Sequence, residues 1–177
     1  MKLPQLLRAV VRKGWFPAAI VLLYVYNFPY FEGIHSANEL PRIYLSMAIV
    51  DRGALNIDPE MARFQSTPDT SSYGGKLYAN KAPGMSLLGV PVYAVQKWAN
   101  GGRTPALKRM FLWFRVFVST VPALLFLVLL WRFLGELIAD RGGRRMVLAA
   151  YALGSMALTY GTLLLAHQLS GLLLATA

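Results

Sequence analysis

The sequence predicts an all-α integral membrane fold, with transmembrane helices, two external juxtamembrane helices and a short hairpin. Three observations carry this prediction. Of 177 residues, 56% are hydrophobic, and the mean hydropathy is +0.45. The charges gather in a few short regions and leave long uncharged runs, such as 14–31 and everything after Arg145. The basic residues flank those runs, as they do at the ends of membrane helices. The net charge of +10 therefore reads as a topology signal and not as a nucleic-acid stripe, and no nucleic-acid partner is expected. The absence of cysteine excludes disulfides and thiolate zinc sites, and two histidines, His35 and His167, do not make an all-protein zinc cage.

The first span is placed at 14–33. Lys2, Arg8, Arg12 and Lys13 precede it with no acid among them, which puts the N-terminus in the cytoplasm. A cleavable signal peptide is the rival reading, but it needs small residues at its cleavage site, and "GIHSANE" places His35 at the wrong spot. Residues 34–82 then form an external loop. Within it an amphipathic helix is expected over 38–52. Leu40, Ile43, Tyr44, Met47 and Ala48 share one face, and Glu39, Arg42 and Ser46 the other. Asn38 is the expected N-cap, Pro41 falls in the first turn and Gly53 is the stop. Such a helix would lie on the membrane surface.

Asp58-Pro59 signals a turn. Tyr73-Gly74-Gly75-Lys76 fits a two-residue hairpin turn, because paired glycines accept positive φ. Pro83 opens the next helix, 83–98. Its uncharged part, residues 82–96, spans only about 22 Å at ~1.5 Å per residue, against roughly 30 Å of hydrocarbon. It is therefore a short crossing or, as favoured here, an interfacial helix. A second span follows at 110–134, with Arg115 and Arg132 near its ends, where they can snorkel. The basic loop "RGGRR" is then cytoplasmic, and a third span runs outward over 146–166. Residues 168–177 read as the start of a fourth span, and the whole as the N-terminal part of a longer protein. Under this topology Glu39, Lys81 and His167 meet at one external face.

"NELPRIYLSMAIVDRG", a coil, "YANKAPG", a helix, an apolar span, "RGGRR" and another span resemble the start of the GT-C glycosyltransferases. That superfamily includes the protein mannosyltransferases and the lipid A aminoarabinose transferases. The resemblance covers roughly residues 14–170 and rests on order and spacing more than identity. It implies an enzyme of the cytoplasmic membrane that moves a sugar from a polyprenyl-phosphate carrier to a lipid or protein acceptor on the external face. The family's acidic pair is here Asn38-Glu39, and its Lys-Pro-Pro element is Lys81-Ala82-Pro83. A later acidic position looks replaced by His167. An amide accepts no proton at neutral pH, so Asn38 is not a base.

Such chemistry needs a base for the acceptor and cations for the departing phosphate. Glu39 is the first candidate base and Asp69 the second. Their ordinary roles would be a first-turn glutamate and a turn aspartate. Lys81, at a helix N-terminus, and Arg42 are candidate phosphate contacts. Against these stand a headgroup lysine and a surface salt bridge. Tyr78 is a further candidate contact, and Asp58 another loop acid. His167, in the uncharged run after Arg145, is expected to touch acceptor or phosphate, or to help bind a divalent ion. The rival reading of the whole chain is a non-catalytic membrane protein that binds lipid or assists envelope assembly.

Overall fold

The computed structural model describes residues 3–26 and 36–177, with side chains of the first segment from Trp15 onward. Residues 27–33 of the expected first span lie outside the described residues. The chain is predominantly helical. Helix α1 covers Leu3–Tyr26, α2 Glu39–Arg52 and α3 Asp58–Arg63. Strands β1 (Thr70–Tyr73) and β2 (Lys76–Ala79) form an antiparallel hairpin in which Tyr73 pairs with Lys76. Gly74 and Gly75 take φ of 56° and 72°, the left-handed values the expected two-residue turn requires. Then come α4 (Gly84–Ala99), a long helix α5 (Leu107–Leu137), α6 (Arg141–Gly154), α7 (Ala157–Thr162) and α8 (His167–Thr176).

Among the described residues one helix, α5, is long and apolar enough to cross a membrane; Trp15–Tyr26 of α1 is apolar but shorter. At ~1.5 Å per residue α5 is about 46 Å long. Its segment Arg115–Thr120 is wound as π-helix. Pro122 follows closely. It has no N–H for the carbonyl four residues back, and its ring crowds that carbonyl, so a widened turn relieves both.

The expected continuous helix over 146–166 is not what forms. The chain breaks at Ser155, which is extended, and is extended again at Leu163. Side chains compensate. Ser155 Oγ donates to Tyr151 O at 2.6 Å and accepts from Ala157 N at 3.1 Å. The π segment supplies the rest: Ser119 Oγ bonds Leu163 O (2.5 Å), and Thr120 Oγ1 bonds Gly161 O (2.8 Å). Non-helical backbone among apolar helices is stable only when its polar groups are met in this way.

Two cores result. One gathers Leu40, Ile43, Tyr44 and Met47 of α2 with Met85 and Tyr93 of α4 and Phe111, Phe114 and Val118 of α5. The other joins Ile20 and Tyr24 of α1 to Ala123 and Leu127 of α5 and Leu148 and Ala152 of α6. The first core corrects the surface reading of α2. Glu39, Arg42 and Ser46, its expected outer face, are buried as well. The helix is covered on both sides, and Ser46 Oγ reaches Ser86 O of α4 at 2.7 Å. Its stop is as expected: Gly53 sits at φ 61° and its N–H turns back to Ala48 O and Ile49 O. Its start is not. Asn38 makes no side-chain cap, and its amide donates to Ser36 Oγ instead (3.1 Å).

Candidate functional site

The polar cluster begins at the first turn of α2. Glu39 is fully buried and takes a bidentate pair of bonds from Arg115 of α5, Nε and Nη2 each at 2.8 Å. Glu39 Oε1 also accepts from Leu164 N at 3.2 Å. Arg115 is 1% exposed and lies over the Phe111 ring, 5.3 Å from its centroid. The snorkelling expected of Arg115 therefore does not occur. The arginine turns inward because a buried carboxylate needs a counter-charge with matching geometry. Placed so, Glu39 joins α2, α5 and the link between α7 and α8, and the structure gives its carboxylate a holding role.

One turn along α2, Arg42 Nη1 donates to Leu164 O (2.7 Å) and Asn38 O (3.3 Å). Its Nε is buried without a hydrogen-bond partner among the described residues. Burial pulls this guanidinium below its ordinary pKa, while the charges of Asp69 and Glu39 act in the opposite sense. Arg42 thus belongs to the same electrostatic cluster as Asp69, and it is not the surface salt bridge that was its ordinary reading.

Asp69 and Lys81 stand at the two feet of the hairpin, so the pairing of β1 with β2 brings them together. Lys81 Nζ lies 2.9 Å from Asp69 Oδ1. Asp69 Oδ2 is buried with no hydrogen-bond partner among the described residues. Burial alone would push this carboxyl up. The bond from Lys81, a smaller polar contact from Asn80 and the charges of Lys81 and Arg42 outweigh it and hold Asp69 below the usual carboxylate value. Next to Lys81, helix α4 begins without a side-chain cap from its N-cap residue, Pro83, and a helix start is the positive end of the helix dipole.

The remaining candidates fall elsewhere. Asp58 opens α3 and accepts from Asn56 Nδ2 (3.0 Å) and Leu77 N (3.0 Å). Those bonds, Asn56 first, hold it below its usual value against partial burial. It ties the hairpin to the body of the molecule. Tyr78 pairs with Ser71 in the hairpin and bridges to Asn56; it is half-buried. His167 is exposed at the start of α8 and packs on Tyr160, ring centroids 4.3 Å apart. Among the described residues there is no group of three or more metal-ligating side chains.

Glu39, Lys81 and His167 are thus not gathered in one cluster: Glu39 and Arg42 reach the link at Leu164, Arg42 is coupled electrostatically to Asp69, and His167 packs on Tyr160. The residue missed was Arg115. Its signal was available, since an arginine inside an apolar run calls for a named counter-charge. No family model matches this chain, and no curated protein or solved structure matches it.

Proposed function

We propose that this chain is part of a multi-pass glycosyltransferase of the cytoplasmic membrane, moving a sugar from a polyprenyl phosphate to an acceptor hydroxyl on the external face. The observation that carries the reading is the unfilled acceptor position of Asp69. A buried carboxylate oxygen without a donor is costly, and an acceptor hydroxyl supplies the missing O–H. Asp69 is then the base. The hydroxyl proton passes to Oδ2 as its oxygen bonds the anomeric carbon. The bond from that carbon to the phosphate oxygen breaks, and the electron pair leaves with the phosphate. Lys81 and Arg42 balance the phosphate charge, beside the open N-terminus of α4. The low pKa of Asp69 keeps it ionised and ready, and it rises when Lys81 shifts onto the phosphate. Glu39 serves as a positioning residue through Arg115. Order and spacing of the sequence elements support the same assignment.

A second reading has one specific observation in its favour. Asn38 is an amide and Glu39 is fully engaged by Arg115, as in a membrane protein that keeps the shape without the chemistry. The test uses the protein in native membranes with a panel of polyprenyl-phosphate-linked hexoses and aminosugars, read as a mass shift on the acceptor. Asp69→Asn is expected to lower transfer by about 10²-fold or more, and Lys81→Ala to raise the apparent KM for the donor. Transfer unaffected by Asp69→Asn rules out its role as base. No transfer with any donor favours the non-catalytic reading.

A further inference from the structure

A second polar anomaly lies away from this cluster, between α4 and the first half of α5. Gln96 is only 7% exposed, yet neither its Nε2 nor its Oε1 has a hydrogen-bond partner among the described residues. A buried primary amide with both ends unmet is costly and calls for an explanation. Gln96 lines a cleft of about 460 Å³ together with Val92, Val95, Arg109, Trp113 and Phe117. On α5, Arg109, Trp113 and Phe117 follow one another at four-residue spacing and so form one stripe. The Trp113 and Phe117 rings stack at 5.3 Å, 4° from parallel. Because α4 and α5 are consecutive and joined by a short link, they run side by side in opposite senses. Gln96 and Arg109 therefore share the end nearest the link, and Val92 and Phe117 share the other. The cleft has a polar, cationic head and an apolar tail.

We propose that this cleft binds one anionic glycerophospholipid. An acyl chain lies along Val92, Val95, Trp113 and Phe117. The phosphodiester pairs with Arg109, for which no ion pair is formed among the described residues. An ester carbonyl accepts from Gln96 Nε2, and a glycerol hydroxyl donates to Oε1, so both ends of the amide are met. A free phosphate or a soluble anion offers no chain for the apolar walls. Val95, Trp113 and Phe117 are 62%, 43% and 44% exposed, so the tail lies open along one side, as a chain shared with surrounding lipid requires. The inference rests on the membrane placement proposed above and not on the transfer chemistry.

The test reads the fluorescence of Trp113 in the full chain with Trp15, Trp98 and Trp131 changed to Phe. The protein is reconstituted in phosphatidylcholine vesicles doped with a minor fraction of chain-brominated phosphatidylglycerol, or with the same fraction of brominated phosphatidylcholine. The phosphatidylglycerol is expected to quench several-fold more. Gln96→Leu, which leaves net charge unchanged, is expected to abolish the difference, as is Val92→Phe, which fills the cleft. Arg109→Gln is expected to do the same. Gln96→Leu is also expected to raise the unfolding temperature in lipid-free detergent, which shows that it folds. Equal quenching by the two lipids overturns the site and leaves membrane placement standing. A preference that survives both Gln96→Leu and Val92→Phe reduces it to general attraction between a basic chain and anionic lipid. No quenching by either overturns the placement and the site together.

Discussion

Arg115 and Glu39 show how much of a site rests on a single pair. Both are essentially inaccessible, and the guanidinium meets the carboxylate through two bonds of 2.8 Å. Removing one partner strands a buried charge. Arg115→Met or Glu39→Gln is expected to cost about 3–5 kcal/mol. The double change Glu39→Leu with Arg115→Met is expected to be milder than either alone, because no charge remains uncompensated. Thermal unfolding in detergent, followed by intrinsic fluorescence, decides this; a double variant as weak as the sum of the singles would mean that the two residues act independently. The sequence singled out Glu39, Lys81 and Asp69 as candidates, and the hairpin that pairs the last two was legible because it is local. It did not reveal the role of Glu39. That depends on a partner far along the chain and on the rotation of α5 that turns Arg115 inward.

Among the elements, α2, α4 and α5 pack together in one core. Gly89 lies where the three meet. A Cβ there would stand 2.7 Å from Ser46 Oγ and press on the Phe114 ring. Gly89→Ala is therefore expected to destabilise by about 1–3 kcal/mol through overpacking, whereas Gly84→Ala, which meets nothing within 4 Å, is expected to be tolerated. Unfolding temperatures of the two variants measure the contrast, and equal values would contradict the close approach. The hairpin and the stop of α2 were legible because Gly74-Gly75 and Gly53 encode their own backbone conformations. The break at Leu163 was not. It depends on hydroxyls of Ser119 and Thr120, on another helix, that take the carbonyls of Leu163 and Gly161, and nothing within 146–166 announces them. The full burial of α2 was hidden for a related reason. An amphipathic pattern shows which face is apolar, not that the polar face will find partners.

At the scale of the whole molecule, the proposed membrane placement puts the basic "RGGRR" start of α6 and the hairpin on opposite sides. With no native cysteine, a single one is an unambiguous reporter. A cysteine at Gly143 is expected to be shielded from an impermeant thiol reagent in intact cells. One at Ser72, exposed on the hairpin, is expected to react. Labelling at Gly143 with protection at Ser72 would invert the orientation, and labelling at both would mean that α5 does not cross. Position in a bilayer was inferred from charge flanks and run lengths. The described residues carry one helix that satisfies the length criterion outright, because interruptions at Ser155 and Leu163 divide what the apolar run alone presents as continuous.

The wide turn at Arg115–Thr120 also bears on how this gene can change. A π segment holds one residue more than regular winding would. Losing a single codon there would close the turn to regular winding and leave the flanking parts of α5 near their present register. This short window is thus the place where α5 can take up a one-residue change in length.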